Sequence, residues 1–185
     1  MEQIPTELDG PVLIKPQVFG DARGLFVETY RESVLAERFG IEDTFVQDNQ
    51  SRSVRGVVRG LHFQLDPPVA KLVRCARGAI FDVLVDIRPE SPTFGRWESY
   101  RLDEEDMLLL YVPVGFAHGF CVVSDVADVI YKQTGYWSAD ADRGIAPDDP
   151  QIGVEWPIPP AERIVSERDR SAPALADITA QLARS

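Results

Sequence analysis

The chain has 185 residues, of which 44% are hydrophobic and 26% are charged, an ordinary balance for a globular protein with a buried core. Its net charge of −11 argues against a nucleic-acid-binding surface, which requires an excess of Lys and Arg. We therefore predict a single domain over residues 1–185 that has no nucleic-acid partner.

The first ten residues, MEQIPTELDG, contain neither a basic region nor an apolar stretch, so they do not resemble a signal peptide. The apolar runs elsewhere are too short to span a membrane. Cys75 and Cys121 have no metal-binding spacing and are expected to be buried free thiols. We therefore expect a cytoplasmic protein with no membrane partner.

Short runs of alternating apolar residues, separated by Gly and Pro turns, predict a chain built mainly of strands. In chain order the predicted strands cover residues 12–15, 25–30, 57–64, 71–76, 79–88, 97–102, 108–112, 120–123 and 129–134. Helices are predicted over residues 31–39, with Gly40 as the C-terminal cap, and over residues 174–184. The proline-rich segment 147–160 carries apolar residues and is expected to pack on the core. This pattern predicts an all-β sandwich or barrel with a few short peripheral helices.

The chain has only two histidines, and both lie beside glycines. Histidine is the side chain best suited to moving protons near neutral pH. His62 is either a general base that faces the interior or a core histidine bonded to the backbone. His118, which precedes Gly119, marks either close approach of a ligand or a tight bend. In a regular strand Arg59 and His62 would point to opposite faces, but a bulge at Gly60 would re-aim them.

Three further side chains could take part in chemistry: Lys71 and Tyr131 each have a functional and a structural interpretation, and Asp169 has only a structural one. Lys71 shares a strand face with two apolar residues, so it either points inward or caps the strand end in solvent. Tyr131 is either a proton donor or an ordinary aromatic strand residue. Asp169, judged from its neighbours in sequence, looks like a solvated surface residue.

Four arginines could together hold an anion in this acidic chain: Arg23, Arg52, Arg55 and Arg59.

A metal site is not expected. Metal-binding cupins use a His-x-His pair, a downstream Glu and a third His, whereas Phe63-Gln64 follows His62 and one other histidine exists. The chain also lacks G-x-S-x-G, G-x-G-x-x-G and Walker motifs, so hydrolase, dinucleotide and P-loop chemistry have no support.

A series of short segments resembles, in register, the dTDP-4-dehydrorhamnose 3,5-epimerase family. The segments cover nearly the whole chain: residues 19–28, 47–51, 59–62, 71, 82–88, 91–95, 115–120, 131–132, 148–150 and 166–169. The resemblance implies a cupin-like β-sandwich or jelly roll, usually a homodimer in which strands cross to the partner. It also implies that the protein uses neither a metal nor an organic cofactor.

The resemblance further implies the substrate and the role of each candidate residue. The substrate would be a dTDP-4-keto-6-deoxyhexose that is epimerised at C3, at C5 or at both carbons. His62 would be the base and Asp169 its partner. Tyr131 would be the acid on the opposite face, and Lys71 would stabilise the enolate oxygen. The substrate-binding residues would be Arg23, Phe26, Glu28, Gln47, Asn49, Arg59, His118, Asp142 and Arg168.

These residue types suit such a reaction. The protons at C3 and C5 flank the C4 ketone, so removal of either proton gives an enolate. A histidine with an ordinary pKa of about 6.5 accepts the proton, and a carboxylate on its other ring nitrogen fixes the tautomer. An ammonium group stabilises the charge on O4, and a tyrosine with an ordinary pKa of about 10 returns a proton from the other face.

Some residues depart from the family pattern. Asp142 stands where Glu is common, Arg168 where Lys is common and Ala146-Pro147 where Trp is frequent, while Trp137 replaces a second aromatic or small residue. This segment is expected to line one side of the sugar pocket. Three functions therefore stay open: a 3,5-epimerase on the pathway to dTDP-L-rhamnose, a mono-epimerase for another deoxysugar, and a silent cupin that only binds nucleotide sugar.

Overall fold

Strands dominate the computed structural model, which describes residues 1–183. In chain order they are β1 (Glu2–Ile4), β2 (Val12–Lys15), β3 (Val18–Asp21), β4 (Gly24–Val27), β5 (Gln47–Val54), β6 (Val57–Gln64), β7 (Lys71–Arg77), β8 (Ala79–Asp86), β9 (Trp97–Asp103), β10 (Leu109–Val112), β11 (Phe116–Val122), β12 (Val126–Gln133), β13 (Asp142–Gly144) and β14 (Ile164–Val165). The helices are α1 (Glu32–Phe39), α2 (Glu167–Arg170) and α3 (Leu175–Leu182), with a 3-10 turn at Pro160–Glu162. Residue 184, the predicted end of the last helix, lies outside the described residues.

Two sheets form the body of the fold. The first has the strand order β1-β2-β10-β7-β12-β5, and the second has the order β13-β6-β11-β8-β9. Neighbouring strands run antiparallel except for β14, which lies parallel to β6. Strands β3 and β4 form a separate hairpin. The predicted all-β sandwich with short peripheral helices is therefore confirmed.

Apolar side chains fill three layers of this sandwich. The layer between the sheets includes Val73, Leu110 and Val129 of the first sheet with Ile80 and Leu84 of the second. A second layer covers the outer face of the second sheet, and its members include Ile152, Trp156, Leu175, Ile178 and Leu182. In the third layer, Leu35 of α1 packs on the outer face of the first sheet. Burial of both faces of the second sheet therefore surrounds its central strands with protein.

Details of the fold bear out several sequence predictions. Gly40 ends α1 in the left-handed conformation, and its N–H donates to the Ala36 carbonyl. Cys75 and Cys121 are buried free thiols. The proline-rich segment packs on the core, where the Trp156 indole donates to the Pro147 carbonyl at 2.8 Å. Over residues 1–183, no helix is long and apolar enough to cross a membrane.

The sequence did not predict the short elements β1, β3, β13, β14 and α2, and two longer strands also differ from the expectation. Strand β5 was not predicted, because its sequence QDNQSRSV is polar and shows no apolar alternation. Strand β11 begins at Phe116 rather than at residue 120, and all of its residues are buried. Both strands border the cavity described below, and on β5 polar side chains stand where a sequence pattern would detect apolar ones.

Candidate active site

A cavity of about 240 Å³ opens between the two sheets. It is lined by Arg59, His62, Phe63 and Gln64 of β6, by Lys71 of β7, by His118, Gly119 and Phe120 of β11, by Ser51, Tyr131 and Gln133 of the first sheet, and by Val69, Trp137, Asp142 and Arg168. The four residues expected to do the chemistry are therefore gathered around one space: three line the cavity, and Asp169 contacts one of them.

A bulge in β6 brings Arg59 and His62 to the same side of the sheet. His118 lies opposite His62, whereas Phe120 lies opposite Arg59, so β6 has one extra residue between the two pairs. Gly60 occupies the bulge at a φ of 122°. A Cβ at Gly60 would stand 2.5 Å from the Gly119 Cα. The close contact of these two glycines explains why both histidines lie in glycine-rich motifs.

His62 is bonded to a carboxylate from another part of the chain. Its Nε2 lies 2.7 Å from Oδ1 of Asp169, and its side chain is 29% exposed toward the cavity. Ser166 caps α2 and its hydroxyl accepts from the Asp169 N–H at 3.1 Å, which fixes the carboxylate. Of the two readings of His62, the core histidine bonded to the backbone is therefore wrong.

Asp169 is buried, so its interpretation as solvated surface is wrong. The local sequence could not show that α2 turns this side chain inward onto β6. Burial raises the pKa of Asp169, but the hydrogen bond and charge of His62 oppose this effect, helped by the Gly60 N–H and by Ser166. The result is a pKa below the ordinary value, so Asp169 is an anion at neutral pH.

Lys71 points inward, so the alternative that it caps the strand end in solvent is wrong. Its ammonium group lies 3.5 Å from the His62 carbonyl oxygen and 5.9 Å from the centre of the Tyr131 ring. Burial lowers the pKa of Lys71 to about 8, against the opposing charges of Asp142 and Asp82. An ammonium with three donors and one long hydrogen bond is available to bind an oxygen in the cavity.

Tyr131 lies on the first sheet, across the cavity from His62 on the second. Its ring packs partly against the layer between the sheets. Burial and the charge of Asp142 raise the pKa of Tyr131, whereas the charge of Arg59 lowers it by a smaller amount. The hydroxyl is therefore protonated at neutral pH and can act as a donor.

His118 lines the cavity, as expected, and is held by a second carboxylate. Its Nε2 lies 2.9 Å and 3.1 Å from the two carboxylate oxygens of Asp82, which is fully buried on β8. Burial raises the pKa of Asp82, while the charges of His118 and Lys71 oppose that rise. The sequence pattern indicates no role for Asp82, because the partner of an inward Asp in an apolar strand is not visible in the sequence.

One wall of the cavity comes from the segment that departs from the family pattern. Arg168 Nη2 donates to Asp142 Oδ2 at 2.7 Å, and the Trp137 indole donates to the same oxygen at 3.0 Å. The Trp137 N–H also donates to Gln47 at 2.9 Å. Asp142 therefore accepts hydrogen bonds from both Arg168 and Trp137, two exposed residues that line the same side of the cavity.

Strand β5 presents a polar face toward the cavity. Gln47 donates to Asn49 at 2.9 Å, and Ser51 lines the cavity. Within residues 1–183, the Asn49 amide nitrogen and the Ser51 hydroxyl are buried without a hydrogen-bond partner. Ser51 was missed because no strand was predicted here. The period-2 spacing of Gln47, Asn49 and Ser51 would have placed all three on one face.

The remaining candidates lie away from this cavity. Arg23 and Phe26 belong to the β3–β4 hairpin and border a different surface depression, formed by the hairpin alone. Glu28 follows the hairpin and forms an ion pair with Arg31. The hairpin is strongly exposed, with Phe19 and Leu25 at 55% and Phe26 at 69%. One chain therefore does not bring these three residues to its own His62.

The proposed arginine cluster does not form within the chain. Arg59 lines the cavity and donates to Ser53 at 3.0 Å. Arg52 is paired with Asp128 at 2.6 Å, Arg55 contacts the Val123 carbonyl, and Arg23 is paired with Asp21 at 2.5 Å. Arg23 and Arg52 are each paired with an acidic residue, whereas Arg55 and Arg59 bond to uncharged groups. As to metals, the described part of the chain contains no group of three His, Cys, Asp or Glu residues able to hold an ion.

Comparison with known proteins agrees with this arrangement. The family model for dTDP-4-dehydrorhamnose 3,5-epimerase matches residues 5–177. A dTDP-4-dehydrorhamnose 3,5-epimerase of Methanothermobacter thermautotrophicus is 50% identical over 169 residues, which are 91% of each chain. A more distant relative, the dTDP-4-dehydrorhamnose 3-epimerase of Streptomyces niveus, is 41% identical over 94% of this chain and 83% of the relative.

A solved structure shares the whole fold. It is the dTDP-6-deoxy-D-glucose-3,5-epimerase of Legionella pneumophila in complex with dTDP-4-keto-L-rhamnose, with a TM-score of 0.94 and 42% identity. The alignment covers 98% of this chain and 96% of that chain. Fold and cavity together define an isomerase with a cupin-like β-sandwich. The chain belongs to the dTDP-4-dehydrorhamnose 3,5-epimerase family.

Proposed function

We propose that this protein converts dTDP-4-dehydro-6-deoxy-D-glucose to dTDP-4-dehydro-L-rhamnose by inverting C3 and C5, with no cofactor. The observation that carries the proposal is the placement of His62 and Tyr131 on facing sheets of one cavity. A sugar ring between them would present one face to a base and the other to an acid. Inversion of a carbon requires this arrangement, because the proton must leave from one face and return to the other.

His62 removes the first proton in this scheme. In the neutral tautomer that donates Nε2–H to Asp169, Nδ1 holds the lone pair that accepts the proton from C3 or C5. The electrons of the C–H bond form the enolate double bond, and the negative charge moves to O4. The resulting imidazolium is stabilised by the Asp169 carboxylate, which remains an anion.

Lys71 and Tyr131 complete the cycle. The Lys71 ammonium, close to both His62 and the Tyr131 ring, binds the charged O4 in a site with little water. The Tyr131 hydroxyl then gives its proton to the same carbon from the opposite face. Tyrosinate and imidazolium exchange their protons with solvent before the second carbon reacts, which restores both groups.

The diphosphate and the nucleotide would bind at the edge of the cavity. Arg59 offers a guanidinium there, and Ser51 of β5 also lines the cavity. Gln47 and Asn49 lie on the same face of β5, and the Asn49 amide nitrogen has no hydrogen-bond partner among residues 1–183. Asp142 and Arg168 would contact the sugar side, and His118 lies beside the base. These roles are proposals that rest on placement in the cavity.

We also propose that the protein is a homodimer in which the β3–β4 hairpin enters the partner's pocket. The support is the exposure of Phe19, Leu25 and Phe26 on a hairpin that packs little on its own chain. Arg23 and Phe26 would then bind nucleotide in the partner's site, although they lie away from their own. The cytoplasmic location stays a prediction.

A mono-epimerase is the second candidate, because the Streptomyces niveus relative is a 3-epimerase. The test is proton NMR of the product formed in ordinary water from dTDP-4-dehydro-6-deoxy-D-glucose. An L-configured product supports the double epimerase, and a product inverted at one carbon supports the mono-epimerase. An unchanged sugar with dTDP still bound would contradict both and leave the silent binder.

A further inference from the structure

The buried Asp82 contacts His118 of the cavity wall, and the reaction scheme above leaves it unused. It lies on β8 between Ile80 and Leu84, which belong to the apolar layer between the sheets, and its side chain is fully buried. A carboxylate in such surroundings is destabilising unless other groups bond to it or carry the opposite charge. The groups that compensate Asp82 therefore indicate what it does.

The first compensating group is His118. Both oxygens of Asp82 lie within 3.1 Å of the His118 Nε2, and the imidazole is only 7% exposed. His118 stands directly opposite His62 in the register of β11 and β6. The carboxylate therefore fixes an imidazole beside the proposed base and selects the tautomer with a proton on Nε2.

The second compensating group is Lys71, which lies on the facing sheet. Its ammonium is buried and has one long hydrogen bond, to the His62 carbonyl at 3.5 Å. The titratable and charged groups around it are His62 and Arg59 on β6, Asp82 on β8, His118 on β11, Tyr131 on β12, Asp142 on β13 and Arg168 on α2. Of these groups, Asp142 and Asp82 carry negative charge beside the ammonium.

The carboxylates of Asp142 and Asp82 differ in their other contacts. Asp142 is already paired with Arg168 at 2.7 Å and bonded to the Trp137 indole at 3.0 Å. The groups that offset the burial of Asp82 are His118 and Lys71, and its side chain has no solvent exposure. The field of Asp82 is therefore weakly screened and acts on the cavity itself.

We propose that Asp82 is a positioning residue with two effects, one on the imidazole of His118 and one on the charge of Lys71. The carboxylate holds His118 in a single tautomer against the sugar. It also keeps the Lys71 ammonium protonated so that O4 meets a positive charge. This inference rests on the proposed function, because it assumes that Lys71 binds the enolate oxygen.

The test is the pH dependence of kcat/KM in Asp82→Asn, which keeps the shape of the side chain and removes the charge. Because burial lowers the pKa of Lys71 to about 8, wild-type kcat/KM should decline above that pH. Without the Asp82 charge the decline should begin about one pH unit lower. The ratio of wild-type to variant kcat/KM should then be about six times larger near pH 8.5 than near pH 6.5.

Asp86→Asn is the matched control, because Asp86 is also fully buried on β8 but bonds to Arg88 at the far end of the strand. It should reduce stability without moving the decline of kcat/KM. An unchanged pH profile in folded Asp82→Asn, or an equal shift in Asp86→Asn, would overturn the proposal. A wild-type protein with no turnover would instead overturn the proposed function.

A second measurement needs neither activity nor an Asp82 variant. The chain has only two histidines, so the nitrogen NMR spectrum of histidine-labelled protein contains two imidazoles, and His62→Asn assigns them. The proposal expects the neutral imidazole of His118 to carry its proton on Nε2, which faces Asp82. A His118 that carries its only proton on Nδ1 would overturn the link to Asp82, even if Asp82→Asn fails to fold.

Discussion

At the scale of single residues, the site is organised by paired buried charges. Asp169 holds His62 at 2.7 Å, and Asp82 holds His118 at 2.9 Å. Lys71 lines the same cavity as both imidazoles and lies 5.9 Å from the centre of the Tyr131 ring, so the proposed base, acid and O4-binding group surround one space. None of the four proposed catalytic residues is fully exposed, which strengthens electrostatic interactions with a bound sugar.

The Tyr131→Phe variant tests which face returns the proton. Burial and Asp142 raise the pKa of Tyr131, so its hydroxyl is protonated over the working pH range and is a competent donor. Without that hydroxyl, the proton that His62 removes can return only from the His62 side. We expect proton exchange at the substrate carbons to continue, with inversion slowed by about a hundredfold or more.

The measurement is proton NMR of the sugar in D2O, which reports exchange and configuration together. Tyr111→Phe is a suitable control, because Tyr111 is bonded to Asp43 on the outer layer away from the cavity. Full inversion by Tyr131→Phe at the wild-type rate would remove Tyr131 from the mechanism.

At the scale of elements, the bulge in β6 decides whether the site exists. Without the extra residue, Arg59 and His62 would face opposite sides of the sheet, and only one could reach the cavity. Gly60 permits the bulge because its φ of 122° is rarely adopted by other residues and its Cα faces the Gly119 backbone.

Gly60→Ala should therefore destabilise the protein by about 2–4 kcal/mol, from backbone strain and a clash with backbone atoms that cannot move aside. Urea unfolding measures this loss. Gly20→Ala is the control, since the nearest atom to a Cβ there would be the Gly24 carbonyl oxygen at 3.9 Å. Its expected cost is below about 1 kcal/mol. Equal unfolding midpoints for the two variants would show that the bulge tolerates a side chain.

The same elements show how far the sequence could predict the site. Apolar alternation identified β7, β8 and β12. Gly60 within β6 indicated a bulge that would bring Arg59 and His62 to the same face. Strand β5 could not be found by alternation, because its inward face is polar where it borders the cavity. The pairing of His62 with Asp169 joins residues 107 positions apart, and no local pattern contains such a contact.

At the scale of the whole molecule, two kinds of predicted binding residue lie in different places. Arg59 lines the cavity, whereas Arg23 and Phe26 lie on the exposed hairpin. If all three bind one nucleotide, the hairpin must come from another chain. The proposed homodimer would meet this requirement, and it would also cover the apolar surface of the hairpin.

A complementation experiment tests this arrangement. Arg23→Ala would damage only the hairpin, and His62→Asn would damage only the pocket. Heterodimers of the two variants, isolated with two different affinity tags, should show about half of wild-type activity, because one pocket combines intact parts from both chains. Each variant alone should be nearly inactive. Inactive heterodimers would show that hairpin and pocket act within one chain, and a mass of 20.6 kDa in solution would exclude the dimer.

The most direct test of the central claim is the incubation of wild-type protein with dTDP-4-dehydro-6-deoxy-D-glucose in D2O, followed by proton NMR at C3 and C5. We predict that both signals disappear and that the product has the L-configuration with deuterium at both carbons. This result requires a base on one face of the sugar and a solvent-exchanged acid on the other. Retention of both proton signals, with the nucleotide sugar bound, would contradict proton transfer by His62 and Tyr131.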